Sequence, residues 1–208
     1  GSKMIEELNN SAADKDNDLS LKVISDISEK DTTKLNVLSE NNKEQIEKLT
    51  ETAIKNADAS EESAELIAKV VAVSSDELVN KVVEEVSKSS TEEKQTLSAQ
   101  VLKAIVDSNS GKIDIINEDV KDTMIKQTIE SAQNQQEETW VQQTQDMTSI
   151  VSDIIVNTDT ETGSKMIEEL NNSAADKDND LSLKVISDIS EKDTTKLNVL
   201  SENNKEQI

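Results

Sequence analysis

Residues 1–46 recur letter for letter as residues 163–208, at a constant offset of 162. Any fold this chain adopts must therefore accept one 46-residue segment twice. Identity extends to every position, so fold maintenance alone does not account for it. It marks recent duplication, correction between copies, or deliberate joining of copies; Gly163-Ser164 is then native to a tandem array or a joint between copies. The chain reads as one helical repeat unit, residues 1–162, followed by the start of an identical second unit, residues 163–208. Such repetition is typical of arrays in which each unit packs on its neighbours.

The second constraint is the near absence of breakers. The chain has no proline and three glycines. Sheets built from hairpins need turn chemistry that this sequence lacks. Apolar spacing is helical instead. Leu66, Ile67, Val70, Val71 and Val73 fall on one face, and Leu78, Val79, Val82, Val83 and Val86 follow the i, i+3, i+4 rule. Ser60, Ser75 and Thr91 each precede paired acids, the pattern of a helix start, and Ser90 to Glu93 has capping-box spacing. The predicted helices run over 3–11, 18–30, 32–39, 42–57, 61–74, 76–88, 91–108, 114–134 and 137–157, the last two able to fuse. The clearest break is 107–112, where Gly111 is expected at positive φ. A loose motif, Leu-x-x-(Lys/Gln)-Val, recurs from Leu19, Leu66, Leu78 and Leu97, and places Leu66, Val70, Leu78, Val82, Leu97 and Val101 in the core. The expected class is all-α: short amphipathic helices stacked as an α-solenoid or elongated helical rod, with a compact helical bundle as the alternative.

Composition narrows function mainly by exclusion. Hydrophobic residues make up 33%, Trp140 is the only aromatic, and Phe, Tyr, His and Cys are absent. The core should be thin and aliphatic. Net charge is −22, of which one 162-residue period carries −18, because the repeated segment holds ten acids and six lysines. That field repels nucleic acid and anionic lipid, and it attracts cations. No apolar run approaches the roughly 20 residues of a membrane span, so no membrane insertion is expected. Without His or Cys the usual nucleophile–base pairs are missing, and no phosphate-binding glycine loop is present. The paired acids sit in first turns or on faces expected to be solvated, so the chain is not expected to be an enzyme. The stretch 117–156 is rich in Gln and Thr and is expected to be weakly buried, with Ile125, Ile129, Ala132, Trp140, Met147, Ile150 and Ile154 forming a narrow seam. Trp140 reads as a packing anchor rather than a binding platform.

One pattern points to metal. Asp14, Asp16 and Asp18 recur as Asp176, Asp178 and Asp180, with the 1, 3, 5 spacing that opens an EF-hand-type calcium loop. The match then fails, with Leu19 where the loop needs Gly and Ser25 where it needs a bidentate acid. A calcium site suits millimolar extracellular ion and a cell-surface setting. The plainer reading is an acidic loop with Asp18 capping the next helix. No cofactor is expected, calcium being the one possibility that the pattern admits. The leading expectation for function is a structural repeat protein forming an extended spacer or end-to-end filament, its partners being neighbouring repeat units or copies of itself. The alternatives are a calcium-responsive bacterial surface or adhesin stalk, and an acidic α-helical module that binds a cationic protein.

Overall fold

The computed structural model describes residues 43–88, 91–108, 111–137, 146–174 and 180–204, together with 22–23, 26–27 and 30. Nine α-helices and one 3-10 turn, with no strand, make up the regular structure among the described residues, so the fold is all-α. The chain divides into two compact units, Gly1–Lys121 and Asp122–Ile208. The second copy of the 46-residue segment begins at residue 163, so the packing boundary and the start of that copy fall in different places.

The first unit holds α1 (Lys43–Asn56), α2 (Glu61–Val73), α3 (Asp76–Ser87), α4 (Glu92–Asp107) and a 3-10 turn at Lys112–Ile115. Its main packing runs between alternate helices, α1 on α3 and α2 on α4, with α3 also against α4. The start signals are used largely as written. The Ser60 and Ser75 hydroxyls accept from the backbone N–H of Ser63 and Leu78. Thr91 is the N-cap of α4, one residue later than a box opened by Ser90 requires, and makes no side-chain cap bond. On α3 all five predicted apolar positions are buried. On α2 the stripe centres on Ile67, Val70 and Val71 and is closed by Ala64 and Ala68, so Leu66 is on its flank and only half-buried. The other five predicted core positions of the recurring motif are buried.

Two departures from the predicted helices have local causes. The 114–134 helix is a 3-10 turn followed by α5 (Glu118–Glu137), because Ile116 between them is extended and buried. Asn80 holds that corner: its amide donates to Ile115 O at 2.9 Å and its carbonyl accepts from Asn117 N–H at 2.7 Å. Gly111 before the turn has φ of 64°, as its place in the break requires. Helix α6 (Met147–Asn157) begins ten residues after the predicted 137–157 helix, at an extended Asp146 whose carboxylate accepts from Thr148 N–H. It is therefore not fused to α5. Buried Gln127, Thr128, Ser131 and Gln133 show that α5 is well covered despite its polarity, against the weak burial expected. Of the residues predicted to form a seam, Ile125, Ile129, Ala132, Met147, Ile150 and Ile154 are all buried; Trp140 lies outside the described residues.

The second unit contains α6, α7 (Thr160–Ala174), α8 (Leu181–Lys192) and α9 (Thr194–Asn203). The last three correspond to the helices predicted at 3–11, 18–30 and 32–39 of the first copy. Again the heaviest packing joins alternate helices, α6 with α8, while α7 contacts α6, α8 and α9.

Candidate functional site

The region with most built-in chemistry is in the second unit, where the second copy of the repeated segment meets residues that occur once in the chain. Helix α8 buries Leu181, Val185 and Ile189, one residue per turn. Helix α6, against which it packs, buries Ile150, Val151, Ile154 and Ile155. The apolar seam is flanked by a polar cluster centred on Lys192. Its ammonium lies 2.8 Å from both Asp153 and Asp188. It also donates to the hydroxyls of Ser149 and Ser152 at 3.0 Å. The Ser152 hydroxyl donates to Asp188. Burial opposes the charge on both Asp188 and Lys192. For Asp188 the bonds from Lys192 and Ser152 win, and its carboxyl is held below the usual range. For Lys192 the two carboxylates win, and its ammonium is held above the usual range. Both ions thus persist across neutral pH as a partly desolvated pair.

The repeat boundary is continuous with this surface. Only Thr158 and Asp159 separate α6 from α7. Asp159 caps α7, accepting from Thr162 N–H at 2.7 Å. Residues 162 and 163, where one copy ends and the next begins, both lie within α7. Gly163 is buried in it, and a β-carbon there would meet Leu200 Cδ2 at 3.2 Å. Ser164 accepts from the Asn204 amide at 3.0 Å. Lys196 donates to Thr158 O at the C-terminus of α6, where the helix dipole favours a cation. Burial there lowers the Lys196 pKa, with partial compensation from Asp159 and Asp193.

Asp14, Asp16, Asp18, Asp176 and Asp178 lie outside the described residues. Asp180 is exposed and sits at the N-cap of α8, but its carboxylate pairs with Lys184 at 3.2 Å and makes no cap bond. The bond from Lys184 holds its pKa down. No group of three potential ligands that could hold a metal ion occurs among the described residues. Glu85 departs from the solvated face expected of the paired acids: it is buried, and ammonium groups lie 2.8 Å (Lys88) and 3.6 Å (Lys55) from its carboxylate. Glu51, Asp58, Asp180 and Asp188 are all held below the usual carboxylate range, the reverse of what a general acid needs. No described helix is long and apolar enough to cross a membrane.

Sequence reasoning missed the Lys192 cluster. The Asp188–Lys192 spacing of four is visible, but Ser149, Ser152 and Asp153 lie 35–43 residues upstream, and nothing in the sequence links them to it. No protein-family model, curated protein or solved structure matches the chain.

Proposed function

We propose that this is a structural repeat protein rather than an enzyme, forming an extended spacer or end-to-end filament in which successive units pack on one another. The observation that carries this reading is the junction. The copy boundary lies inside α7, and the second copy closes on α6 through a buried seam, a charged cluster and a capping lysine. A loose connection between independent beads would need none of these.

Two regularities within the units support stacking. Alternate helices begin at Lys43 and Asp76, Glu61 and Glu92, Met147 and Leu181, and Thr160 and Thr194, offsets of 33, 31, 34 and 34. Helix-pair periods of this size build α-solenoids. A lysine also caps a helix end 37 or 38 residues upstream three times: Lys94 on Ala57 O, Lys112 on Ser74 O and Lys196 on Thr158 O. The same device at the same spacing in both units is what a repeating helical array supplies.

The test is length. Proteins of one, two and three 162-residue periods should show a maximum dimension by small-angle X-ray scattering that rises linearly with period number. Growth as the cube root of mass would identify a compact bundle and remove the spacer reading.

A further inference from the structure

We propose that the surface formed by α6 and its Thr158 end is a docking site for residues 1–46 of a second copy of this chain, which take the place of the chain's own residues 163–208. The proposal goes beyond the array reading, and it rests on the junction geometry alone.

The docking partners on the second copy are Val185, Asp188, Ile189, Lys192 and Lys196. The first copy carries the same residues as Val23, Asp26, Ile27, Lys30 and Lys34. Residues 147–162, which provide the surface, occur once in the 208 residues, while the segment that docks on them occurs twice. The described part of the first copy is helical at the same positions, but its docking face is less covered. Val23 and Ile27 are partly buried where Val185 and Ile189 are fully buried. The side chains of Asp26 and Lys30 are 67% and 78% exposed, against 28% and 29% for Asp188 and Lys192. Lys30 lies 3.3 Å from Asp26, so the pair along the helix is formed without the α6 residues.

Both copies can make the same local contacts with α6. Which one sits there is decided by effective concentration, and a tethered segment acts at roughly millimolar. The chain's own second copy therefore wins in dilute solution. When that copy is impaired, the first copy of another chain fills the surface, a segment exchange that needs no new contact.

The chain has no cysteine, so thiol cross-linking reads out docking directly. An acceptor carries Ser149→Cys with Val185→Asp and Ile189→Asp; a donor carries Lys30→Cys. Ser149 is chosen because its hydroxyl lies 3.0 Å from Lys192 Nζ, the copy of Lys30. A short dimaleimide applied to the mixture should give a covalent heterodimer, roughly tenfold more than with a donor that also carries Val23→Asp and Ile27→Asp, as expected once the tethered competitor is disabled. If the double aspartate acceptor loses its helical circular dichroism, an Ile189→Ala acceptor carries the same comparison. A Ser149→Cys/Lys192→Cys chain must cross-link within itself, which establishes reach. Equal heterodimer yields from the two donors would overturn the proposal. So would cross-linking confined to molecules holding Lys30→Cys and Ser149→Cys together, because the occupant would then be the chain's own first copy. Either failure leaves the scattering test of the array untouched.

Discussion

Asp26 and Lys30 have the same sequence context as Asp188 and Lys192 over 46 residues, yet the two pairs sit in different surroundings. The first is an exposed i, i+4 pair of the sort worth about 0.3–0.5 kcal/mol on a helix surface. The second is mostly covered and tied to Asp153, Ser149 and Ser152. The apolar neighbours differ in the same way, partly buried in one copy and fully buried in the other. Local sequence is enough to make the helix and its own ion pair. Burial and desolvation of Asp188 and Lys192 come with α6, which the second copy meets, and Ser152 and Asp153 of α6 add to the charge stabilisation that the pair supplies to itself.

The sharpest test of that contrast is truncation of the same isoleucine in each copy. Ile189→Ala should cost about 2–5 kcal/mol, the usual range for a packed core isoleucine. Ile27→Ala should cost distinctly less, about 1 kcal/mol, because that side chain is only partly buried. Urea denaturation at low micromolar concentration measures both. Equal losses would mean that the two copies are equally packed, and the comparison would collapse. Leu78→Ala, at a buried site in the first unit, should match Ile189→Ala and serves as the internal standard.

A second test uses the glycine that opens the second copy. Gly163 gains helix propensity on conversion to Ala, about 1 kcal/mol, but the new methyl meets Leu200 at 3.2 Å. Overpacking costs about 1–3 kcal/mol, so Gly163→Ala should be net destabilising by about 1 kcal/mol. In a Leu200→Ala background the obstruction is gone, and the same substitution should become stabilising. A double-mutant cycle reads the reversal. If Gly163→Ala loses as much stability in both backgrounds, Leu200 is not what limits the site.

The fold class was written in the missing prolines, the few glycines and the 3.6-residue spacing, and the helix starts at Ser60 and Ser75 were visible as caps. What was not visible depends on distant partners. Leu66 and Val70 belong to the same motif, and only the placement of α2 among its neighbours puts Val70 at the centre of the stripe and Leu66 on its flank. Ile116 matches a helical pattern, but Asn80, 35 and 37 residues from its two partners in that corner, holds the chain extended there. The capping lysines are equally silent in sequence, since Lys94, Lys112 and Lys196 resemble any other surface lysine until the helix ends they meet are known.

The charged cluster predicts a pH window. Asp188 has its folded pKa below the ordinary 3.8, so its contribution is complete above that value and is lost as pH falls through the depressed one. Lys192 has its folded pKa above 10.5, so its contribution is complete below 10.5 and is lost as pH rises through the raised value. Asp188→Asn should therefore destabilise the protein by about 1 kcal/mol near pH 7, on the scale of a hydrogen-bonded ion pair, and by less below pH 3.8. Asp26→Asn should change little at either pH, because its partner is held in solvent. Melting curves of both variants across pH supply the check, and a pH-independent effect at Asp188 would show that its charge is not what matters.

The smallest expected effect is a difference between calcium and magnesium. With −22 net charge, screening should raise thermal stability as any salt is added. A specific calcium site would add stabilisation by mass action on the folded state, beyond magnesium at matched ionic strength. The acidic runs offer carboxylates at the first, third and fifth positions in both copies, but Leu19 and Leu181 stand where such loops turn on glycine. Asp180 contributes its carboxylate to Lys184 at 3.2 Å, so a cation there must compete with an ammonium already in place. Equal stabilisation by the two ions is therefore expected, with Asp16→Asn and Asp178→Asn leaving the response unchanged. A calcium excess that the paired substitution abolishes would restore the calcium-responsive stalk. An excess abolished by Asp178→Asn alone would go further, because it would confine the site to the copy docked on α6 and make calcium one more difference between two identical sequences.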